Sequence, residues 1–278
     1  MVQLGDWYHA LRQERIVDVV HQDPRSLAVP GSLLGWPFEW ARTVGIGNGQ
    51  ANFDEPIENL APHDRARLYA YINQPGHVEE LVLAFRALLG TSPVLEGGAV
   101  IDVGCGPFTA GLALANVVGS SQNFDYFGVD LYHSMCNLGR EVAGAVHDSG
   151  ALSPGTREMF LQDISMIPGG AALRGQPTLV VLSFLLASRT VDVNQITDEV
   201  IAACDRIGLG AVNLLYTNST SEWAGRNYET FKAKLESHGF SWIAGGNERL
   251  EETRKPRLVH YALFHRPPKG RIEPGMFP

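Results

Sequence analysis

The stretch Ala99–Val118, AVIDVGCGPFTAGLALANVV, constrains the fold of this chain more than any other. An apolar run ends in an acid, Asp102, and a turn holding Gly104 and Gly106 follows. A helix of small residues then begins at Thr109. A short apolar run closed by glycine and followed by helical spacing reads as strand, turn, helix. The same rhythm continues downstream. Strands are expected at Ala99–Val103, Asp125–Val129, Met159–Gln162, Thr178–Ser183 and Leu209–Tyr216, and helices near Thr109–Val118, His133–Asp148, Val193–Arg206 and Arg226–His238. Such alternation argues for a parallel sheet covered by helices on both faces. The last two strand-like runs, GFSWIAGG and RLVHYALFHR, are joined only by the polar stretch NERLEETRKP. With no crossover helix between them, they must pair antiparallel. The expected fold class is therefore α/β: a seven-stranded, mostly parallel, doubly wound sheet with an antiparallel C-terminal strand pair, plus a helical N-terminal extension.

That extension covers residues 1–92, and the sheet domain covers 93–278. To about Gln22 the spacing is helical, with Trp7, Leu11 and Val19 on one face and Tyr8 and Ile16 beside them. From Asp23 to Pro62 the chain is rich in Pro and Gly and shows no clear period, which suggests a lid, a binding loop or a flexible arm. Its GIGNGQ lacks the lysine and the preceding strand of a phosphate loop, so it reads as a plain loop. Trp36, Phe38 and Trp40 in this segment offer stacking surfaces for a flat ligand or anchors to the core. Helical spacing resumes from His63, breaks at Pro75-Gly76 and closes at Gly90.

Composition removes several classes of function. A net charge of −8 opposes nucleic-acid phosphate at long range. From Arg249 onward, however, seven Lys and Arg stand against Glu251, Glu252 and Glu273. Cys105, Cys136 and Cys204 form no C-x-x-C pair, which fits a reducing compartment and argues against a disulfide frame or a structural zinc site; no metal is expected. No apolar run is long enough to span a bilayer, and the N-terminus lacks the pattern of a signal peptide, so the expected location is cytoplasmic.

In an open parallel sheet, ligands bind beyond the carboxyl ends of the strands. A dinucleotide would need G-x-G-x-x-G, whose third glycine falls on Thr109, and Asp102 would repel its pyrophosphate. S-adenosylmethionine makes the opposite demands. It carries no phosphate, its ammonium and sulfonium favour a nearby carboxylate, and its ribose and adenine need polar groups at the next strand ends. The chain supplies Asp102, then Asp130 after YFGV, then Asp163 in FLQDI, each at the tip of an apolar strand.

These residues resemble the class I (Rossmann-like) SAM-dependent methyltransferase family over about Gly98 to Arg266. Asp102-Val103-Gly104-Cys105-Gly106 is similar to its first motif, with Pro107 and Phe108 completing the turn. The resemblance implies that Asp130, with Leu131 beside it, holds the ribose hydroxyls, and that Asp163 and Ile164 line adenine. It further implies that Ser183 and Phe184, at the fourth strand tip, complete the cofactor site on its substrate-facing side. One departure stands out: Phe108 occupies a position where the family often has a third glycine. Its ring is expected to narrow the methionine end of the pocket or to face the sulfonium.

The implied activity is transfer of a methyl group from S-adenosylmethionine, giving S-adenosyl-L-homocysteine. Proximity can supply much of such a rate, and a general base is needed only when the nucleophile must lose a proton. Candidate catalytic residues are Tyr132, His133 and Tyr216. Candidate substrate contacts are Tyr69, Tyr71, His77 and Arg189. No Asn-Pro-Pro-Tyr-like or Pro-Cys motif of DNA methyltransferases is present. The acidic balance favours a small-molecule acceptor. An RNA (rRNA-type) methyltransferase using Arg254, Lys255 and Arg257 and a non-catalytic SAM-binding module are the alternatives.

Overall fold

The computed structural model describes residues 2–88, 90, 95–170, 175–253 and 256–269. Its centre is a seven-stranded sheet: β1 (Gly98–Val103), β2 (Phe124–Val129), β3 (Arg157–Leu161), β4 (Thr178–Ser183), β5 (Val212–Ser219), β6 (Ser241–Leu250) and β7 (Arg257–Arg266). The spatial order is β3-β2-β1-β4-β5-β7-β6. The first five strands run parallel, and β7 pairs antiparallel with both β5 and β6. This is the architecture expected from the alternation. The winding reverses between β1 and β4, which opens a cleft at their carboxyl ends.

The main helices are α1 (Asp6–Arg12), α2 (Pro62–Ile72), α3 (Gln74–Leu88), α4 (Thr109–Val118), α5 (His133–Asp148), α6 (Val193–Ile207) and α7 (Tyr228–Ser237). β1 is buried along its whole length. Alternate residues serve opposite faces, so Val100 meets α1–α5 while Ile101 meets α6 and α7. Strands covered on both sides lose the polar alternation of a half-exposed sheet.

The N-terminal region is continuous with this core. Tyr8, Leu33, Ile46, Phe53, Leu60 and Phe85 belong to the same apolar cluster as Val100, Val181 and Leu215. The boundary expected at 92/93 falls outside the described residues. The first helix buries Tyr8, Leu11, Ile16 and Val20, whereas Val19 is exposed, contrary to the face expected from a uniform period. A π turn at Gln13–Val17 is the reason: its extra residue rotates everything after it. The break expected at Pro75-Gly76 lies at Asn73 instead. Pro75 sits in the first turn of α3, where its missing N–H is no loss.

The irregular segment 23–61 is held by side chains rather than by a repeating ladder. Arg65, 5% exposed, donates to the carbonyls of Gly45 (2.7 Å), Asn52 (2.6 Å) and Glu55. Arg25 bridges Asp23 and Asp64 and reaches the Asn59 carbonyl. Asp54 reaches further. Its two oxygens accept the backbone N–H groups of His133 (2.8 Å) and Ser134 (2.9 Å), capping α5 from a segment nearly 80 residues earlier. Asp54→Ala is expected to lower stability by about 0.5–2 kcal/mol. A shift in denaturant midpoint at unchanged slope would show it. An unchanged midpoint would mean that water replaces the cap.

β5 starts and ends three residues later than the expected Leu209–Tyr216. Gly210 packs against the Gln176 carbonyl before the strand begins, and Thr217, Asn218 and Ser219 stay paired with β7 at its end. Polar residues therefore extend a strand that apolar pattern alone had ended early. Likewise, Asn247–Leu250, expected as loop, continue β6 opposite β7. Among the described residues no helix is long and apolar enough to cross a membrane, and no group of three or more His, Cys, Asp or Glu is placed to hold a metal.

Candidate functional site

At the carboxyl edge of β1 the chain turns through Gly104 (φ +75°) and Gly106 (φ +51°) into α4. Gly104 is exposed, so its backbone forms part of the cleft floor. Asp102 lies beneath the turn rather than in it. It is 2% exposed and accepts the Tyr126 hydroxyl at 2.6 Å and the Ala110 N–H of the first turn of α4. Its carboxylate thus ties β1 to β2 and caps α4. This corrects the expectation that Asp102 offers a free charge to a cationic ligand. Burial raises its pKa to about 7 against those two bonds.

The sign of that shift sets a pH dependence. A carboxyl group whose folded-state pKa exceeds its unfolded value stabilises the fold most below the unfolded value, near 4, and loses that contribution as pH rises through about 7. Asp102→Asn is therefore expected to flatten the fall of melting temperature between about pH 4 and 7, a change on the order of 1–3 kcal/mol. Parallel profiles of variant and parent would refute it.

Phe108 closes the turn in the left-handed region, φ +68°. This is the conformation in which glycine is at ease. Its ring, 1% exposed, turns away from the cleft into the core, 4.8 Å from Tyr126 and 5.8 Å from Phe160 by centroids. It neither narrows the ligand pocket nor faces it. Gly111 of α4 makes the room, since a Cβ there would lie 2.0 Å from the ring. Pro107 accepts the Gln74 amide on its carbonyl at 2.7 Å. The Cys105 thiol is buried beside Cys136, and burial pushes its pKa up, so it is a packing residue. The Cys136 thiol donates to the carbonyls of Asp130 (3.6 Å) and Leu161 (3.5 Å).

Asp130 follows β2. Its Oδ2 accepts the Gly106 N–H (3.0 Å) and its Oδ1 the Tyr132 N–H (3.1 Å), so it spans the first and second strand ends. Burial raises its pKa to about 6 against those bonds. A carboxylate has about four acceptor positions, which leaves room for two further donors. Leu131 beside it is 68% exposed, an apolar platform at the cleft edge. Asp163 is exposed and accepts the Ser165 N–H (2.7 Å), which holds its pKa down. Ile164 instead points into the lower core, 3% exposed, and its carbonyl receives Arg206.

At the β4 tip, the Ser183 hydroxyl receives Thr217 at 3.0 Å, and Phe184 adopts a left-handed conformation (φ +58°). Its ring meets His77 of α3 at 4.3 Å. His77 Nδ1 contacts Glu80 Oε2 at 3.3 Å, and Glu80 Oε1 pairs with Arg257 of β7 at 2.9 Å. Glu80 is 1% exposed. A carboxylate at Nδ1 leaves Nε2 as the nitrogen with a free lone pair. Glu80 escaped the sequence reading, and Arg257 entered it only as a cation of the RNA alternative. His-x-x-Glu on a helix was the available signal for the first, since residues three apart share a face. Nothing in the sequence pointed to the pairing of Arg257 with Glu80.

Tyr69 lies next to the turn, its ring 3.6 Å from where a Gly106 Cβ would stand, and it stacks at 6.5 Å on His77. Phe53 connects Tyr69 to Tyr132, each at 5.7 Å. The rings of Phe184, His77, Tyr69, Phe53 and Tyr132 thus follow one another along the strand ends. Gln50, in the former GIGNGQ loop, donates to the Ala187 carbonyl (3.3 Å). Segment 45–61 therefore touches the loops after β2 and β4.

Four expected site residues lie elsewhere. Tyr216 is wholly buried on the opposite face, among Tyr228, Phe231 and His260, because β5 runs on past it and strand parity turns it inward. Tyr71 bonds His21 at 2.9 Å on the outer side of α2. His133 is an exposed opening residue of α5. Arg189 lies over Trp223 at 5.5 Å, beside Arg226 at 4.0 Å.

No family model matches this chain, and no curated protein does. Solved structures with similar architecture include magnesium protoporphyrin IX methyltransferase from Synechocystis PCC 6803 with bound SAM, at 14% identity and TM-score 0.45, covering 82% of this chain and 94% of that one. A SAM-dependent methyltransferase from Aquifex aeolicus shows 15% identity and TM-score 0.43, covering 68% of this chain and 90% of that one. A SAM-dependent O-methyltransferase from Thermotoga maritima shows 14% and 0.41, with 71% and 67% covered. At these values, what the site can do follows from its own residues.

Proposed function

We propose that this protein transfers a methyl group from S-adenosylmethionine to a small-molecule acceptor. Asp130 carries the reading: a half-buried carboxylate at the tip of β2, bonded to the glycine turn on one side and beside an exposed Leu131 on the other. That set suits a ribose diol with an adenine next to it. The exposed backbone at Gly104 suits an uncharged approach, and no lysine or arginine of the turn asks for phosphate. When bound, S-adenosylmethionine supplies an electrophilic methyl group. The protein's part is to position and enclose. Asp130 accepts the ribose hydroxyls, and Leu131 covers the adenine face. Tyr69 and Phe184 exclude water from the edge between β1 and β4. His77, oriented by Glu80, holds the proton an acceptor must lose at Nε2. Residues 45–61 act as a lid over these parts.

The RNA reading is weaker. Arg249, Arg257, Arg266 and Lys269 each pair with a carboxylate: Glu251, Glu80, Asp205 and Asp205. Arg254, Lys255 and Arg271 lie outside the described residues. Cations already paired release fewer counterions on meeting phosphate. Calorimetric titration with S-adenosylmethionine, S-adenosyl-L-homocysteine and NAD in parallel tests the proposal. Micromolar binding of the first two with NAD silent is the expected result. Silence from both in a folded sample would end it, and tight binding without turnover on any acceptor would favour the non-catalytic module.

A further inference from the structure

A cavity of about 220 Å³ lies between α3 and the face of β5, β7 and β6. It exists because α3 alone covers a sheet face that widens beyond β5, while the other face has α6 and α7. Its walls divide by chemistry. Leu83, Ala84 and Ala87 of α3 and Val259 of β7 are apolar, and the two alanines leave the space open. Glu80 and Thr217, each 1% exposed or less, form the polar inner wall. Both are shared with the candidate site. Glu80 holds His77, and Thr217 donates to Ser183 at the β4 tip. The cavity therefore adjoins the strand edge where the chemistry is placed.

The outer wall is acidic. Glu80 is matched by Arg257 and Glu251 by Arg249. Glu248 shares a hydrogen bond with Tyr261, which leaves its charge uncancelled. Glu252 has no ion-pair partner among the described residues. Two carboxylates that no described cation pairs, at the mouth of an apolar chamber, attract a cation with a hydrophobic body and repel a carboxylate or phosphate of the same shape. The volume is that of about seven liquid waters, enough for a ring and a short chain.

We infer that this cavity is the acceptor site and that the acceptor is an amine with a compact apolar body, drawn in as its ammonium. The ammonium gives one proton to His77, its nitrogen lone pair then bonds the methyl carbon, and the C–S bonding pair stays on sulfur, which leaves as the thioether S-adenosyl-L-homocysteine. The acceptor role rests on the methyltransferase reading; the amine preference rests on the cavity alone. The test uses 2-phenylethylamine and 3-phenylpropionate, similar in size and opposite in charge, titrated against the full chain by ligand-detected NMR. S-adenosyl-L-homocysteine binding is measured on the same samples. The amine should bind saturably and at least about tenfold more tightly than the acid. Ala84→Phe, which fills the chamber, should abolish amine binding and leave S-adenosyl-L-homocysteine affinity unchanged. Glu252→Gln, at an exposed position that the fold does not need, should weaken the amine severalfold and narrow its margin over the acid. Equal binding of amine and acid, amine binding undiminished in both variants, or no saturable binding would overturn the inference. Amine binding lost in Ala84→Phe, with S-adenosyl-L-homocysteine silent throughout, would keep the amine site and remove its role as acceptor site.

Discussion

Asp130→Ala should lower affinity for S-adenosylmethionine by about tenfold to a hundredfold, with the fold intact. Each charged hydrogen bond lost from a ribose hydroxyl is worth about 1.5–3 kcal/mol, and about 1.4 kcal/mol is a factor of ten. A second loss adds to the first. Asp130 Oδ2 also holds the Gly106 N–H, so its removal frees the glycine turn that must meet the ligand. Asp130→Asn separates the two effects: its amide oxygen can keep one backbone bond, while the charge is gone. Titration calorimetry on both variants, with circular dichroism to confirm folding, reads the outcome. Affinity within twofold of the parent in Asp130→Ala would remove this residue from the cofactor site, and with it the proposed function.

The second large effect concerns Phe108. Restoring the glycine that the family resemblance leads one to expect should damage the protein rather than improve it. Truncating a buried phenylalanine costs about 3–5 kcal/mol. Relief of a left-handed backbone returns about 1–2 kcal/mol. Phe108→Gly is thus expected to lose roughly 1–4 kcal/mol of stability by chemical denaturation. Affinity for S-adenosylmethionine should move little, because the ring points at Tyr126 and Phe160, not at the cleft. A stable variant with markedly altered affinity would place the ring in the pocket after all.

The contrast at Phe108 shows what a sequence can disclose. Its place at the end of the glycine turn was legible, from the motif around Gly104 and Gly106. Its side chain was not, because the space it fills comes from Gly111 and from β2 and β3 neighbours that no local pattern links to it. The same division holds elsewhere. Helices α4 and α5 begin and end at the expected residues, since apolar period and terminal glycines are local signals. β5 does not, since its polar end is held by pairing with a strand some 45 residues later. That shift moves Tyr216 out of the site and Thr217 into the cavity wall. Asp102 was located correctly at its strand tip and given the wrong partner, because Tyr126 was invisible from that position. The π turn after α1 is an interruption of period that a uniform helix template cannot register.

The ion pair between Glu80 and Arg257 joins positions 177 residues apart. A protein is made from its N-terminus at about 5–20 residues per second. Glu80 therefore leaves the ribosome many seconds before its cation exists. A carboxylate cannot be sealed in an apolar interior alone at tolerable cost. Until β7 arrives, α3 must keep that face wet, and the Val2 N–H, which ends on the Glu252 carbonyl at 2.7 Å, must wait as well. The face of α3 that carries Glu80 is thus completed only once β7 has formed. A ribosome stalled before Arg257 would leave Glu80 without that cation.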